Sequence, residues 1–163
     1  MHEKRLNSPK RLDNAARFVG LAMKRGCKLA FTHTNRHGVG VSDIIESGHE
    51  DYVIGVLYEI PNEKMPRLDQ IEGVNSGAYK RVDDFTVTKL DASLKDVGEQ
   101  IEVSAYTVVK KEERPRTNSE YANHILEGIR EHRMGGEYFI TVRNIILDNN
   151  PNIEGDLACY SHC

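Results

Sequence analysis

Apolar and polar positions change period along the chain, and the changes mark its elements. From Ala15 to Met23 the residues are small or apolar, and Cys27 to Phe31 continues them past the breaker Arg25-Gly26, which predicts two strands or one long bent strand. Thr32 to Gly38 is polar and reads as a loop, and a strand around Val39 to Ile45 ends at Ser47-Gly48. Tyr52 to Glu59 (YVIGVLYE) carries the strongest strand signal, with Gly55 marking a bulge or a close backbone approach. Pro61-Asn62 opens a short helix in which Met65, Leu68 and Ile71 recur every third residue. Pro66 fits there only in the first turn, and Gly73 supplies the C-terminal cap. Residues 79 to 90 and 100 to 110 predict two further strands, joined across the polar stretch Asp91 to Glu99. Tyr121, Ile125 and Ile129 form a helical stripe within 119 to 134, and a last helix over 137 to 147 is stopped by Asp148-Asn149-Asn150-Pro151. Residues 1 to 7 are polar and end at the turn signal Asn7-Ser8-Pro9, so they read as the tail of an element. Residues 149 to 163 show no period.

Strands in the first two thirds followed by helices imply an α+β domain rather than a doubly wound sheet. The 163 residues suit one domain able to bury its own core, and 39% hydrophobic with 29% charged residues is ordinary globular composition. Twenty-two Lys and Arg against 25 Asp and Glu give a net charge of −3, which excludes a dedicated nucleic-acid binder. The longest apolar run, Val53 to Tyr58, is too short to span a membrane, and Met1-His2-Glu3-Lys4-Arg5 is too polar for a signal peptide, so the expectation is a cytoplasmic protein without a membrane partner. Cys27, Cys159 and Cys163 are odd in number at spacings that match no disulfide or zinc framework, and read as free thiols.

Several features carry little chemistry. His33 and His37 have the spacing of a helical metal pair but sit in a polar loop, so no metal site is expected. Gly38-Val39-Gly40 lacks the third glycine and the lysine of a phosphate loop, and reads as turn chemistry. Lys110-Lys111-Glu112-Glu113-Arg114-Pro115-Arg116 mixes signs and reads as a solvated loop.

The chemical signal is Leu68-Asp69-Gln70-Ile71-Glu72-Gly73-Val74-Asn75-Ser76-Gly77-Ala78-Tyr79. This block resembles the signature of the gamma-glutamylcyclotransferase-like family, L-D-x-x-E-G-V-x-S-G-x-Y. Val53-Ile54-Gly55-Val56-Leu57-Tyr58 looks like the strand that precedes it there. Asn118-Ser119-Glu120-Tyr121, Gly128 and Glu137-Tyr138 fall where that family has its tyrosine, glycine and Glu-Tyr pair. The resemblance covers roughly residues 1 to 147 and is far more specific than a lone glycine pattern. It implies a small mixed β-barrel or sheet with flanking helices over residues 1–148, with 149–163 as a C-terminal tail. It also implies Glu72 as the acid/base residue and Tyr121 as a substrate contact, and Tyr79 is a candidate to line the same cleft.

Physical chemistry supports Glu72 independently. The negative end of the helix macrodipole and partial burial near Tyr58 both disfavour a charge at that place, which suits a carboxylate to proton transfer. The implied reaction is cyclisation of a gamma-glutamyl amine or peptide, in which the tethered α-amine attacks the side-chain carbonyl and releases 5-oxoproline and a free amine. Because the nucleophile is tethered, no cofactor or metal is called for, and the expected partner is the small-molecule gamma-glutamyl substrate alone. One departure stands out: the family's first strand ends in Tyr-Gly-Ser-Asn, which this sequence does not contain, and Met1 to Leu6 looks like the helix that follows it. On that alignment the family's first strand and binding loop are missing from the chain. The alternative expectation is then a catalytically impaired or non-enzymatic binding or regulatory member of the same fold. The identity of the leaving amine and the oligomeric state leave no trace in the sequence.

Overall fold

In the computed structural model, which describes residues 6–159, six strands and three α-helices form an α+β domain. β1 (Arg17–Arg25), β4 (Tyr52–Glu59), β5 (Tyr79–Leu90) and β6 (Asp96–Val108) form a four-stranded sheet in the order β4-β1-β5-β6, while β2 (Cys27–Thr34) pairs only with β3 (Gly40–Glu46). Every ladder is antiparallel, and no closed barrel forms among the described residues. The expected pair of strands over 15 to 31 is therefore two strands in two sheets. Gly26 makes the switch with φ 69°, its N–H donating to Asp51 O (2.8 Å) and its carbonyl accepting from Ser47 N (2.9 Å).

After β4, a 3-10 turn (Asn62–Lys64) leads into α1 (Met65–Ile71), with Pro66 in the first turn as expected. α2 (Ser119–Glu131) is capped by Asn118, whose Oδ1 accepts from Tyr121 N at 2.9 Å. α3 (Gly136–Asn149) docks on β4 through Tyr138, whose hydroxyl accepts from Ile54 N (3.0 Å) and donates to Ile54 O (3.3 Å). Tyr138 of the expected Glu-Tyr pair is thus an anchor between helix and sheet, and burial pushes its phenol up to about 12.

The main core joins Ala122, Leu126 and Ile129 of α2 with Phe139, Val142 and Ile146 of α3, against Phe31 and the partly buried Leu21, Ile54 and Val56 of the strands. Each such side chain contributes roughly 1.5–3 kcal/mol through burial. A second core sits at α1, where Leu68 packs with Leu6, Leu12 and Ala16 from the segment before β1.

Three expectations change. β6 begins at Asp96 rather than near residue 100, because Asp91 builds a tight turn: its Oδ1 accepts from Ser93 N (2.8 Å) and Lys95 N (2.9 Å), and Leu94 adopts φ 63°. Residues 96 to 100 are exposed, so no apolar alternation betrays them. Lys110 to Arg116 is largely exposed, as expected of a solvated loop, but it is also tied down as a strap across the β2–β3 hairpin. Glu112 N donates to Thr32 O (2.7 Å), Gly40 N donates to Arg116 O (2.8 Å), and Arg114 reaches Asp148. A Cβ on Gly40 would meet Pro115 O at 2.2 Å, so glycine is required for that approach. The aperiodic C-terminal stretch also packs: Leu157 is buried in the main core, and Asn123 holds Asp156 O and Ala158 N.

Candidate functional site

The twelve-residue block around Glu72 has a local mechanical explanation. Leu68 buries into the second core. Asp69 accepts two bonds from Arg81 Nη1 (3.1 and 2.8 Å) and one from Tyr106 OH (2.7 Å), which fastens α1 to β5 and β6. Glu72 is the C-cap of α1, followed by Gly73 at φ 81°. Gly73 N donates to Gln70 O (3.3 Å) and Val74 N to Asp69 O (2.9 Å), the paired bonds of a Schellman ending. Ser76 N and Oγ both return to Gly73 O (3.2 and 2.8 Å), and Gly77 at φ 72° turns the chain into β5. The next element begins with Tyr79, whose ring would lie 3.8 Å from a Cβ placed on Gly73. Glycine, serine, glycine and tyrosine at these spacings therefore fold the chain back so that Tyr79 stands beside the turn that carries Glu72.

The Glu72 side chain is 19% exposed, with Oε1 buried, and Arg11 Nη1 lies 3.6 Å from it. Arg11 belongs to a knot of turns before β1. Arg11 N and Asp13 N donate to Ser8 O, Asn14 N donates to Asn7 O, and the Asn7 side chain makes two bonds to the backbone of Ala16. Leu12, 1% exposed, pins this knot against Leu68.

Tyr79 links Glu72 to the other predicted residues. Burial raises its phenol well above the usual tyrosine range, and Tyr121, Asp43 and Glu72 add to this electrostatically. Like any phenol it is protonated at neutral pH, and the shift extends this to higher pH; its ring meets His33 edge-on at 5.8 Å. The Tyr121 hydroxyl is already engaged, accepting from Ser42 N (3.1 Å) and bonding Ser42 Oγ (2.9 Å) on β3. Asp43, its side chain fully buried, accepts from Thr32 Oγ1 (2.9 Å), from Val108 N (3.2 Å) and from Lys111 Nζ.

The structure thus brings Glu72, Tyr79 and Tyr121 into one neighbourhood and adds Arg11, Ser42, Asp43 and His33, which sequence reasoning did not single out as parts of it. For Asp43 there was a faint signal, an acidic residue inside the apolar strand Val39 to Ile45. His33 and His37 are separated by the hairpin turn: His33 Nδ1 is 3.4 Å from Glu112, while His37 sits in the turn against Arg36. Among the described residues no group of three or more His, Cys, Asp or Glu side chains is placed to hold a metal ion, and no helix is long and apolar enough to cross a membrane. Cys27 is buried and Cys159 exposed, both free thiols, and Cys163 lies outside the described residues. A separate recess of about 520 Å³ opens between the edge strands β4 and β6. It contains none of the three predicted residues, and of its three carboxylates, Glu59, Asp83 and Glu102, the first is engaged by Arg17 and the second by Ser104 with Arg81.

Residues 52–141 match the AIG2-like family. No curated protein sequence matches the chain. Among solved structures, a gamma-glutamyl cyclotransferase is similar at 22% identity over 86% of this chain and 79% of that one, with a TM-score of 0.70. An uncharacterised human protein is similar at 24% identity over 81% of this chain and 76% of the other, with a TM-score of 0.68. YkqA of Bacillus subtilis is similar at 24% identity over 79% of this chain but 44% of its own, with a TM-score of 0.65. The shared feature is the fold.

Proposed function

Since the chain belongs to the AIG2-like family and has the fold of a gamma-glutamyl cyclotransferase, we propose that it cyclises a gamma-glutamyl amine or peptide, releasing 5-oxoproline and the free amine. The observation that carries this reading is the placement of Glu72. It is a partly buried carboxylate at a helix end, on the turn against which Tyr79 stands.

In the reaction the substrate's α-amine nitrogen bonds to the γ-carbonyl carbon, and the bond from that carbon to the leaving nitrogen breaks. Glu72 takes a proton from the attacking amine and delivers it to the departing amine nitrogen. The phenol of Tyr79, protonated at neutral pH, would serve as a hydrogen-bond donor to the substrate. The intramolecular attack gains from a bound near-attack shape. The direct test is to incubate the protein with a gamma-glutamyl amino acid, a gamma-glutamyl peptide and a gamma-glutamylated alkylamine, and to measure 5-oxoproline chromatographically. Release from at least one is expected, and release from none overturns the proposal.

Tyr121 enters this proposal as a contact to the glutamyl group. Its hydroxyl also bonds Ser42, so Tyr121→Phe removes a structural hydrogen bond whose loss costs about 1 kcal/mol. The expected outcome is a small drop in melting temperature accompanied by a rise in KM. The same drop with unchanged kinetics assigns the phenol to the fold alone.

A further inference from the structure

Arg11 lies outside the twelve-residue block, yet its guanidinium stands against the carboxylate that the block carries. The Nη1 to Oε1 separation of 3.6 Å is longer than the roughly 2.7–2.9 Å of a charge-assisted hydrogen bond. Arg11 is 23% exposed on its side chain, while its backbone is fixed by the Ser8 turn and by the burial of the adjacent Leu12. Arg67 adds a bond from α1 to the Lys10 carbonyl, so the knot holding Arg11 and the helix holding Glu72 move as one unit.

A carboxylate and a guanidinium side by side are the electrostatic complement of an ammonium and a carboxylate side by side. In a free α-amino acid head those two groups share one carbon, and their nitrogen and oxygen atoms lie about 3 Å apart. A substrate whose α-amine meets Glu72 therefore carries its α-carboxylate to Arg11. Resting on the reading above, we propose that Arg11 binds the α-carboxylate of the gamma-glutamyl group, so that Glu72 and Arg11 together select a free α-amino acid head. Guanidinium suits the task because its planar donors can hold a carboxylate with two parallel hydrogen bonds. The pair in the resting protein is exchanged for two pairs with the ligand, which places the α-nitrogen on the base and fixes the rotation about the α-carbon.

The experiment has a binding arm and a turnover arm. Calorimetry on the unmodified protein compares 5-oxoproline with 2-pyrrolidinone, the same ring without the carboxylate. Turnover compares gamma-glutamyl p-nitroanilide with 4-aminobutanoyl p-nitroanilide, again differing only in that group, for the unmodified protein, Arg11→Gln and Arg11→Lys. The unmodified protein should favour the carboxylate-bearing member of each pair by about a hundredfold, mainly through KM in turnover. In Arg11→Gln that ratio collapses toward one, and Arg11→Lys is intermediate. A ratio unchanged in Arg11→Gln, or no preference for 5-oxoproline over 2-pyrrolidinone in the unmodified protein, overturns the proposal for Arg11. Preferential binding of 5-oxoproline that disappears in Arg11→Gln, without any turnover by the unmodified protein, instead retains Arg11 as a carboxylate site and overturns the cyclisation. Thermal unfolding of both variants identifies a folding defect, in which case the calorimetric comparison on the unmodified protein decides.

Discussion

Glu72→Gln lowers the release of 5-oxoproline by about a hundredfold or more while the protein stays folded. Glutamine has nearly the same size and reach but cannot carry a proton between two nitrogens, so the loss should fall on kcat. The backbone bonds that end the helix do not involve the titratable group. Glu72 contributes its backbone to the helix end, donating to Leu68 O at 2.9 Å, and the bonds that terminate α1 come from Gly73 and Val74. One side-chain contact given up is the 3.6 Å pair with Arg11, in which both side chains are partly exposed. The measurement pairs steady-state kinetics with thermal unfolding. Unimpaired kcat in a folded variant removes Glu72 from the chemistry, whereas loss of activity together with loss of the folded state assigns it to the architecture.

How much of this could be read from the chain depended on whether the physics was local. The block from Leu68 to Tyr79 was legible because its residues act on one another: Leu68 packs, Asp69 latches, Gly73 and Gly77 accept positive φ, and Ser76 bonds back to Gly73. The strands Tyr52–Glu59 and Tyr79–Leu90 were legible for a related reason, since apolar content marks a strand that meets a core. The start of β6 was not, because Asp96 to Gln100 is exposed and its side-chain contacts include charged pairs such as Lys89 with Glu99, which leave no apolar alternation. Leu157 was not, because one buried side chain carries no period. Arg11 and Glu72 are joined only after Leu6, Leu12 and Ala16 pack on Leu68, an event with no local signature. The separation of β2 from β1 into another sheet hangs on Gly26, whose sequence signal marks a bend but not which strands pair on either side of it.

Asp43 is the other residue whose role appears only in three dimensions, and its removal should produce the largest loss of stability among the changes considered. Its carboxylate is fully buried and joins three separate parts of the chain: Thr32 of β2 through a hydroxyl, the end of β6 through Val108 N, and the strap through Lys111. The bond to Val108 N ties the two-stranded sheet to the four-stranded one, while those to Thr32 and Lys111 hold the hairpin together and fasten the strap to it. A buried ion pair is not by itself strong evidence for stability, since an apolar pair of the same shape could serve as well. Deleting one partner is a different matter. Asp43→Ala leaves Val108 N and the Thr32 hydroxyl without their acceptor in surroundings where Val108 is 3% and Thr32 8% exposed. The two stranded donors should cost about 2–5 kcal/mol together, since Lys111 is about half exposed and remains solvated, and so lower the melting temperature by about 10 °C for a domain of this size. Asp43→Asn keeps one acceptor oxygen and gives up the charge facing Lys111, so it should fall between Asp43→Ala and the unmodified protein. Urea unfolding of the two variants checks the order. Equal stability for Asp43→Ala and the unmodified protein shows that the sheets are held together without this carboxylate. Tyr79 supplies a second readout, because burial is the leading cause of its raised phenol and the charge of Asp43 a lesser one. In Asp43→Asn the phenol should therefore titrate somewhat lower while staying above the usual tyrosine range, and a return to that range would show that the variant has opened the space around Tyr79.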